Sequence, residues 1–391
     1  MEIRKLAEKY RDYIVGRRRY YHSHPELSMQ EFETTKAVLR DLEEMGIPSV
    51  PFRDRLPGCI GTLQGGKPGK TVLLRADIDA LPVSEKTGLP YASQNPGVMH
   101  ACGHDTHIAM LLGAAKILKD LQNELSGTIK FLFQPAEEFI GGAKEVINQG
   151  FLKGVDACYG IHSMSGLETG KMNFTYGERM ASADACTLKI RGYGAHGSAP
   201  HLGKDAIVAA SAVIMGIQTI VSRMNNPLNP LVITIGKVDC GRRFNIIADE
   251  ATLEMTIRCF DKKLREQVIP YIREKTETIA AAYGCTGTLL HSGGLPAVFN
   301  NDRHLVEIAQ NAVIKLYGTS ALSEMEKLTG SEDFAWYLES TPGIYGILGV
   351  RSAVVPGSEM SMHHECFAPD ERALETGAAV NAQFAFDFLN E

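Results

Sequence analysis

Residues 99–118 read MHACGHDTHIAMLLGAAKIL. The opening nine, Met99 to His107, hold a thiol, three imidazoles and a carboxylate, and the apolar run from Ile108 to Leu118 reads as a helix. Cys102 and His104 flank a glycine, so a tight turn aims both at one point. A helix opening at Asp105 or Thr106 sets its positive end beside a thiolate. A solitary Cys is ordinarily a small core hydrophobe and a solitary His a satisfied polar group. Their density here points to metal.

Working outward, Thr71–Asp79 (TVLLRADID) is an apolar, β-favouring run that ends in two carboxylates, Asp77 and Asp79. Gly127–Phe133 reads as a second strand, closed by Gln134-Pro135 and followed by Glu137-Glu138. Val155–Ile161 reads as a third, with His162 at its end. Strands alternating with helices predict an α/β fold with a mostly parallel sheet covered on both faces, in which sites form at the carboxyl ends of strands. Each of three such ends carries an acid or an imidazole.

The pattern changes from Ala183. Strands at 186–191, 231–238, 251–259 and 286–291 and helices at 205–224 and 262–283 follow the order β-α-β-β-α-β, a self-contained two-layer α+β domain. We read 183–292 as an insertion into a discontinuous domain made of 1–182 and 293–391. After Pro296 come helices at 302–317 and 333–338, a strand at 344–350 and a C-terminal helix at 369–389, with Met362-His363-His364-Glu365 as a second ligand-rich loop. Residues 1–45 read as two helices broken near His24-Pro25-Glu26.

A chain of 391 residues exceeds one comfortable core, which agrees with two domains. Its 40 basic and 46 acidic residues form no long charge block, so neither nucleic acid nor an anionic membrane is an expected partner. The N-terminus lacks an apolar signal core and no later stretch approaches the length of a membrane span, so a cytoplasmic location is expected. The eight cysteines follow no disulfide spacing, and reduced core thiols account for most of them.

Adjacent acids after a strand point apart, so a Glu-Glu pair divides its labour, one carboxylate on metal and the other facing the open side of the site. Metal-assisted hydrolysis requires that arrangement: the cation lowers the pKa of water, and an unligated carboxylate moves the proton.

The blocks HSHPELSMQEFETT, LLRADIDALPVSEKTG, MHACGHDTHIAMLLGAA, FLFQPAEE, GYGAHGSAPHLGKDA, NIIADEATLEMTIRCFD and TGSEDFAWYL together resemble the M20 metallopeptidase and amidohydrolase family. More narrowly they resemble the branch of N-acyl-amino-acid amidohydrolases, hippurate hydrolases and auxin-conjugate hydrolases. The similarity runs from about His22 to the C-terminal helix. It implies a site for two divalent ions bound by Cys102, His104, Glu138, His162 and His363, with Glu137 as general base. It also implies that the inserted domain is a lid mediating homodimer contacts, that His196 helps stabilise the oxyanion, and that Asn245 and Arg258 recognise substrate. Asp77 and Asp79 then orient ligands. His22, His24, His107, His201, His291 and His304 are left as structural or surface residues.

Departures from the family pattern fall in loops. Phe139 stands where Gly is common after the Glu pair, Ser165 and Glu168 replace prolines after His162, and the His363 loop lacks its usual proline. The resemblance implies hydrolysis of the amide of an N-acyl amino acid, with zinc as the expected metal and manganese, cobalt or nickel as alternatives. The rival readings are a dipeptidase or carboxypeptidase of the same family, a cysteine hydrolase using Cys102, and a non-catalytic ligand-binding protein.

Overall fold

The apolar runs flanking residues 99–118 form the middle of a seven-stranded sheet in a computed structural model that describes residues 2–139 and 141–391. The strands of its two larger sheets are β1 (Ser49–Pro51), β2 (Cys59–Gln64), β3 (Lys67–Asp77), β4 (Ser126–Gln134), β5 (Ala157–Glu168), β6 (Met172–Asn173), β7 (Ala183–Arg191), β8 (Leu231–Cys240), β9 (Glu250–Cys259), β10 (Thr286–Leu295) and β11 (Gly343–Arg351). The helices are α1 (Glu2–Lys9), α2 (Arg11–Ser23), α3 (Phe32–Glu44), α4 (His104–Asp120), α5 (Gly142–Asn148), α6 (Ala206–Thr219), α7 (Lys262–Ala282), α8 (Arg303–Tyr317), α9 (Ala335–Ser340) and α10 (Arg372–Leu389).

The large sheet runs β1-β2-β4-β3-β5-β11-β6. Its four central strands are parallel, and the outer ones pair antiparallel. The expected α/β architecture is therefore observed. Helix α4 is buried on nearly every side, as its unbroken apolar run requires. Small residues let it lie close to α10 and α2: a Cβ on Gly377 of α10 would fall 2.1 Å from the Met110 sulfur, and one on Gly113 would fall 2.6 Å from the Ile14 side chain of α2.

The chain divides into two compact units, one comprising residues up to Gly177, Phe299–Glu326 and Asp333–Glu391, the other Glu178–Val298 and Lys327–Glu332. In the second unit, β10-β7-β9-β8 form an antiparallel sheet with α6 and α7 packed against it. Asp205 and Asp261 cap those helices by accepting backbone N–H bonds, Asp205 from Ile207 and Val208 and Asp261 from Leu264.

Three details differ from the sequence reading. The N-terminal 45 residues hold three helices, because the chain breaks at Tyr10, between α1 and α2, as well as near Pro25. β5 does not stop at Ile161. It pairs with β3 only as far as Gly160, but β11 continues beside it and carries it past His162. Finally, Ala206–Met224, where α6 runs into one π turn, is 19 residues long with mean hydropathy 1.6, enough by length and composition to cross a membrane. Ser211, Gln218 and Thr219 interrupt its apolar pattern in the sequence. In the fold, Ala209, Val213 and Ile217 bury one side of it on the sheet.

Candidate metal centre

The turn before α4 bends as the Cys-Gly-His spacing predicts. Gly103 has φ +86°, and a Cβ there would fall 2.7 Å from the Ser163 hydroxyl. The helix opens at His104, one residue earlier than expected. Cys102, His104 and His162 are all buried, and one ligand atom from each lies within 4.8 Å of the others. The Cys102 sulfur is 3.6 Å from His162 Nε2.

Each of the two buried imidazoles is turned by its other nitrogen. His104 Nδ1 faces the Asp79 carbonyl at 2.9 Å and the Asp79 carboxylate at 3.1 Å. His162 Nδ1 donates to the Ser163 carbonyl at 2.7 Å. That leaves the Nε2 atoms pointing inward, and His104 Nε2 is buried without a hydrogen-bond partner. A bare imidazole nitrogen beside a thiol and carboxylates fits a cation as the missing partner.

The rest of the site comes from loops. Cys102, Glu138 and His363 form a second group within ligand distance, and His104, Glu137 and Glu138 a third. His363 Nε2 lies 3.2 Å from Glu138 Oε1. The His363 backbone N–H donates to the Ala101 carbonyl at 2.8 Å, which ties this distant loop to the Cys102 turn, and the residue adopts φ +70°. The Glu138 N–H donates to Asp79 Oδ2 at 3.0 Å, so Asp79 orients two candidate ligands. Glu137 is mostly buried and accepts a long bond, 3.4 Å, from the Asp333 N–H.

Burial sets the titration of the centre. It pushes the Cys102 thiol well above the usual range, with His104 pulling the other way. Burial opposes charge on His104, but the Asp77 carboxylate, Cys102 and the bond to Asp79 together outweigh it and hold that imidazole above its usual range. His162 is held below it by burial and by neighbouring His107. For His363 the bond to Glu138 raises the value against the effect of burial.

His107, left as structural, is buried and bridges two strands: the Ser163 N–H donates to its Nε2 at 2.9 Å, so Nδ1–H donates to Asp77 at 2.5 Å. Asp77 also takes Arg75, whose buried guanidinium reaches Gln134 and Asp333 at 2.9 and 2.8 Å. An arginine within an otherwise apolar strand was the available signal for this network. His22 is likewise buried, between Asp105 and Glu85. His100 is buried too, whereas His24 stacks on Tyr20 at the surface. His291 pairs with Asp184 at 2.9 Å and His304 with Glu391 at 2.8 Å. All eight cysteines are free.

His196, Asn245 and Arg258 belong to the second unit. His196 is exposed, and its Nδ1 lies 2.7 Å from the Ser198 hydroxyl. It forms a β-bridge with Ile246, while the Asn245 carbonyl accepts the Gly197 N–H, so His196 and Asn245 share one turn region. Asn245 Oδ1 is buried without a hydrogen-bond partner. Arg258 is half-buried on β9 and bonds Thr256 and the Ile257 carbonyl.

The pattern described as peptidase family M20/M25/M40 matches residues 73–387. The chain belongs to this family. An N-acetyl-L-cysteine deacetylase of Bacillus subtilis (strain 168) is 41% identical over 92% of this chain and 84% of its own length. Thermostable carboxypeptidase 1 of Saccharolobus solfataricus is 37% identical over 100% of this chain and 99% of its own. Among solved structures, the Bacillus subtilis YXEP protein, described as a dinuclear metal binding peptidase of the M20 family, superposes with a TM-score of 0.86 at 36% identity. That match covers 98% of this chain and 99% of the other.

Proposed function

We propose that this M20 family member is a metal-dependent amidohydrolase that cleaves the amide of N-acyl amino acids, releasing a carboxylic acid and a free amino acid. The observation that carries this reading is the convergence of Cys102, His104, Glu138, His162 and His363 on one centre with a second carboxylate, Glu137, at its edge. Those five side chains hold two divalent ions, zinc by preference, with manganese, cobalt or nickel as alternatives that geometry and availability decide. When bound, the ions supply Lewis acidity that polarises the scissile carbonyl and acidifies water. Glu137 takes the proton of the attacking water and passes it to the departing amine nitrogen. Asp79 keeps His104 and Glu138 aimed, and the Asp77–His107 pair fixes the backbone beside His162.

His196 donates to the carbonyl oxygen as it gains charge. Arg258 offers a fork of donors suited to the free carboxylate of the amino acid, and Asn245 adds an amide to substrate recognition. Residues 183–292 act as lid and dimer contact of a cytoplasmic homodimer. Support for the contact is the exposed apolar set on that unit, including Val208, Met215, Val232 and Phe244, together with β8 as an open sheet edge. The name of the carboxypeptidase relative keeps peptide cleavage as the second reading.

A panel of acetyl, benzoyl, indole-acetyl and long-chain acyl amino acids beside dipeptides, run on protein loaded with each metal, separates the two. Faster turnover of acyl amino acids supports the first. Full activity after chelation, with loss on alkylation, replaces both with a cysteine hydrolase. Stoichiometric metal with no turnover leaves a binding protein.

A further inference from the structure

The segment from Arg18 to Glu31 contains the HSHPELSMQE block but none of the residues given a role above. Its inward-facing side chains nevertheless end on groups that adjoin the metal centre. Arg18 Nε donates to Asp105 at 2.8 Å and His22 Nδ1 meets the same oxygen at 2.9 Å, one residue past His104. The Ser28 hydroxyl donates to Asp79 Oδ2 at 2.7 Å, the oxygen that also holds the Glu138 N–H. Glu31, fully buried, accepts the Ala136 N–H at 2.8 Å through Oε1.

Ala136 is the decisive neighbour. It sits at φ +54°, a left-handed conformation that costs an alanine energy and persists only where its surroundings enforce it. It immediately precedes Glu137, so its backbone angles set the direction from which that carboxylate enters the site. The loop is pinned on both sides: the Ala136 carbonyl accepts from Gly142 at 3.3 Å and the Pro135 carbonyl from Gln134 at 3.2 Å. The Ala136 N–H is the group that Glu31 holds.

A carboxyl is a costly choice for this task. Glu31 Oε2 is buried with no hydrogen-bond partner, and burial with the nearby Asp79 carboxylate pushes the group up to about 8. Thr35 anchors the residue by donating its hydroxyl to the Glu31 carbonyl.

We propose that Glu31 is the positioning residue of the catalytic base: through the Ala136 N–H it holds the left-handed turn that aims Glu137. The proposal rests on the reading of Glu137 as base. Glu31→Gln keeps an acceptor at the same place, and Glu31→Ala removes it. Ala136→Gly in the Glu31→Ala background supplies a residue that adopts positive φ without strain.

The test combines hydrogen exchange of the Ala136 amide in metal-free protein, zinc bound per chain, and kcat and KM on an N-acetyl amino acid. Glu31→Ala is expected to speed Ala136 exchange and lower kcat by about tenfold or more each, with zinc content unchanged and KM within about twofold. Glu31→Gln restores protection and kcat to within about threefold of wild type, and the added Ala136→Gly recovers part of the lost kcat. If Glu31→Ala does not stay folded at assay temperature, Glu31→Met, of similar length and with only a weakly accepting sulfur in place of the oxygens, carries the same measurements.

An Ala136 amide as protected in the Ala or Met variant as in wild type overturns the proposal while leaving Glu137 as base. A loss of kcat matched by lost zinc, and not restored by Gln, also overturns it, in favour of a structural role. Full activity of Glu137→Ala overturns the base assignment itself and the proposal with it.

Discussion

The two sides of the metal centre are built differently. On one side, Cys102, His104 and His162 are buried, and the imidazoles are turned by Asp79 and by the Ser163 carbonyl. On the other, Glu138 and His363 stand on loops, His363 with 54% of its side chain exposed, and both loops depend on left-handed non-glycine residues, Ala136 and His363 itself. The first side is fixed by the core that surrounds it. The second is fixed by backbone bonds reaching in from elsewhere, Glu31 to Ala136 and His363 to Ala101. On the proposed reading, affinity for metal belongs mainly to the buried side, and the geometry of turnover to the open one.

The largest effect expected is on the buried side. His104→Ala removes an imidazole shared by three of the ligand groups, and should lower activity by about 10^3-fold or more with a matching fall in bound metal, read by elemental analysis. Next comes the brace beneath it. Arg18→Met leaves the buried Asp105 carboxylate without its guanidinium, a change expected to cost about 3–5 kcal/mol in denaturant unfolding at pH 7. Burial alone would raise Asp105, but Arg18 and His22 override it and hold the carboxyl below its usual range. A depressed folded pKa contributes stability above the unfolded value, near 4, that is lost as pH falls below it, so the gap between wild type and Arg18→Met should narrow at pH 3. An unchanged gap would deny that the pair carries this stability.

The open side should separate activity from stability. His363→Ala is expected to reduce turnover by roughly 10^2-fold while moving unfolding by less than about 1 kcal/mol, because the side chain is half exposed. A stability loss as large as that of Arg18→Met would erase the distinction between the two sides. The smallest effect belongs to Phe139→Gly. That ring is 73% exposed, so stability should shift by no more than about 0.5 kcal/mol. The ranking of acyl groups should shift about 3- to 10-fold, read as kcat/KM ratios.

The same contrast explains what the sequence disclosed. Cys102, His104 and their helix are neighbours in the chain, so a nine-residue window exposes them, and the strand patterns at Thr71, Gly127 and Val155 supply the parallel sheet. His363 lies some 260 residues further on, and only the family resemblance, not its own chemistry, sets it apart from His364. The physical reason for its place, the bond of its N–H to the Ala101 carbonyl, is met in three dimensions. Glu31, Arg75 and His107 escaped a residue-level reading for another reason: each acts through a backbone N–H or a second side chain, and such a role leaves no spacing signature. Arg75 in a buried strand was the one visible anomaly.

The central claim is that ligand binding and proton transfer reside in different carboxylates of one pair. It is tested most directly by Glu137→Ala, with bound metal and hydrolysis of an N-acetyl amino acid measured on the same preparation. The account predicts metal content equal to wild type and turnover lowered by about 10^2- to 10^4-fold. A variant that keeps more than about a tenth of the wild-type rate, or that loses its metal along with its activity, would contradict it.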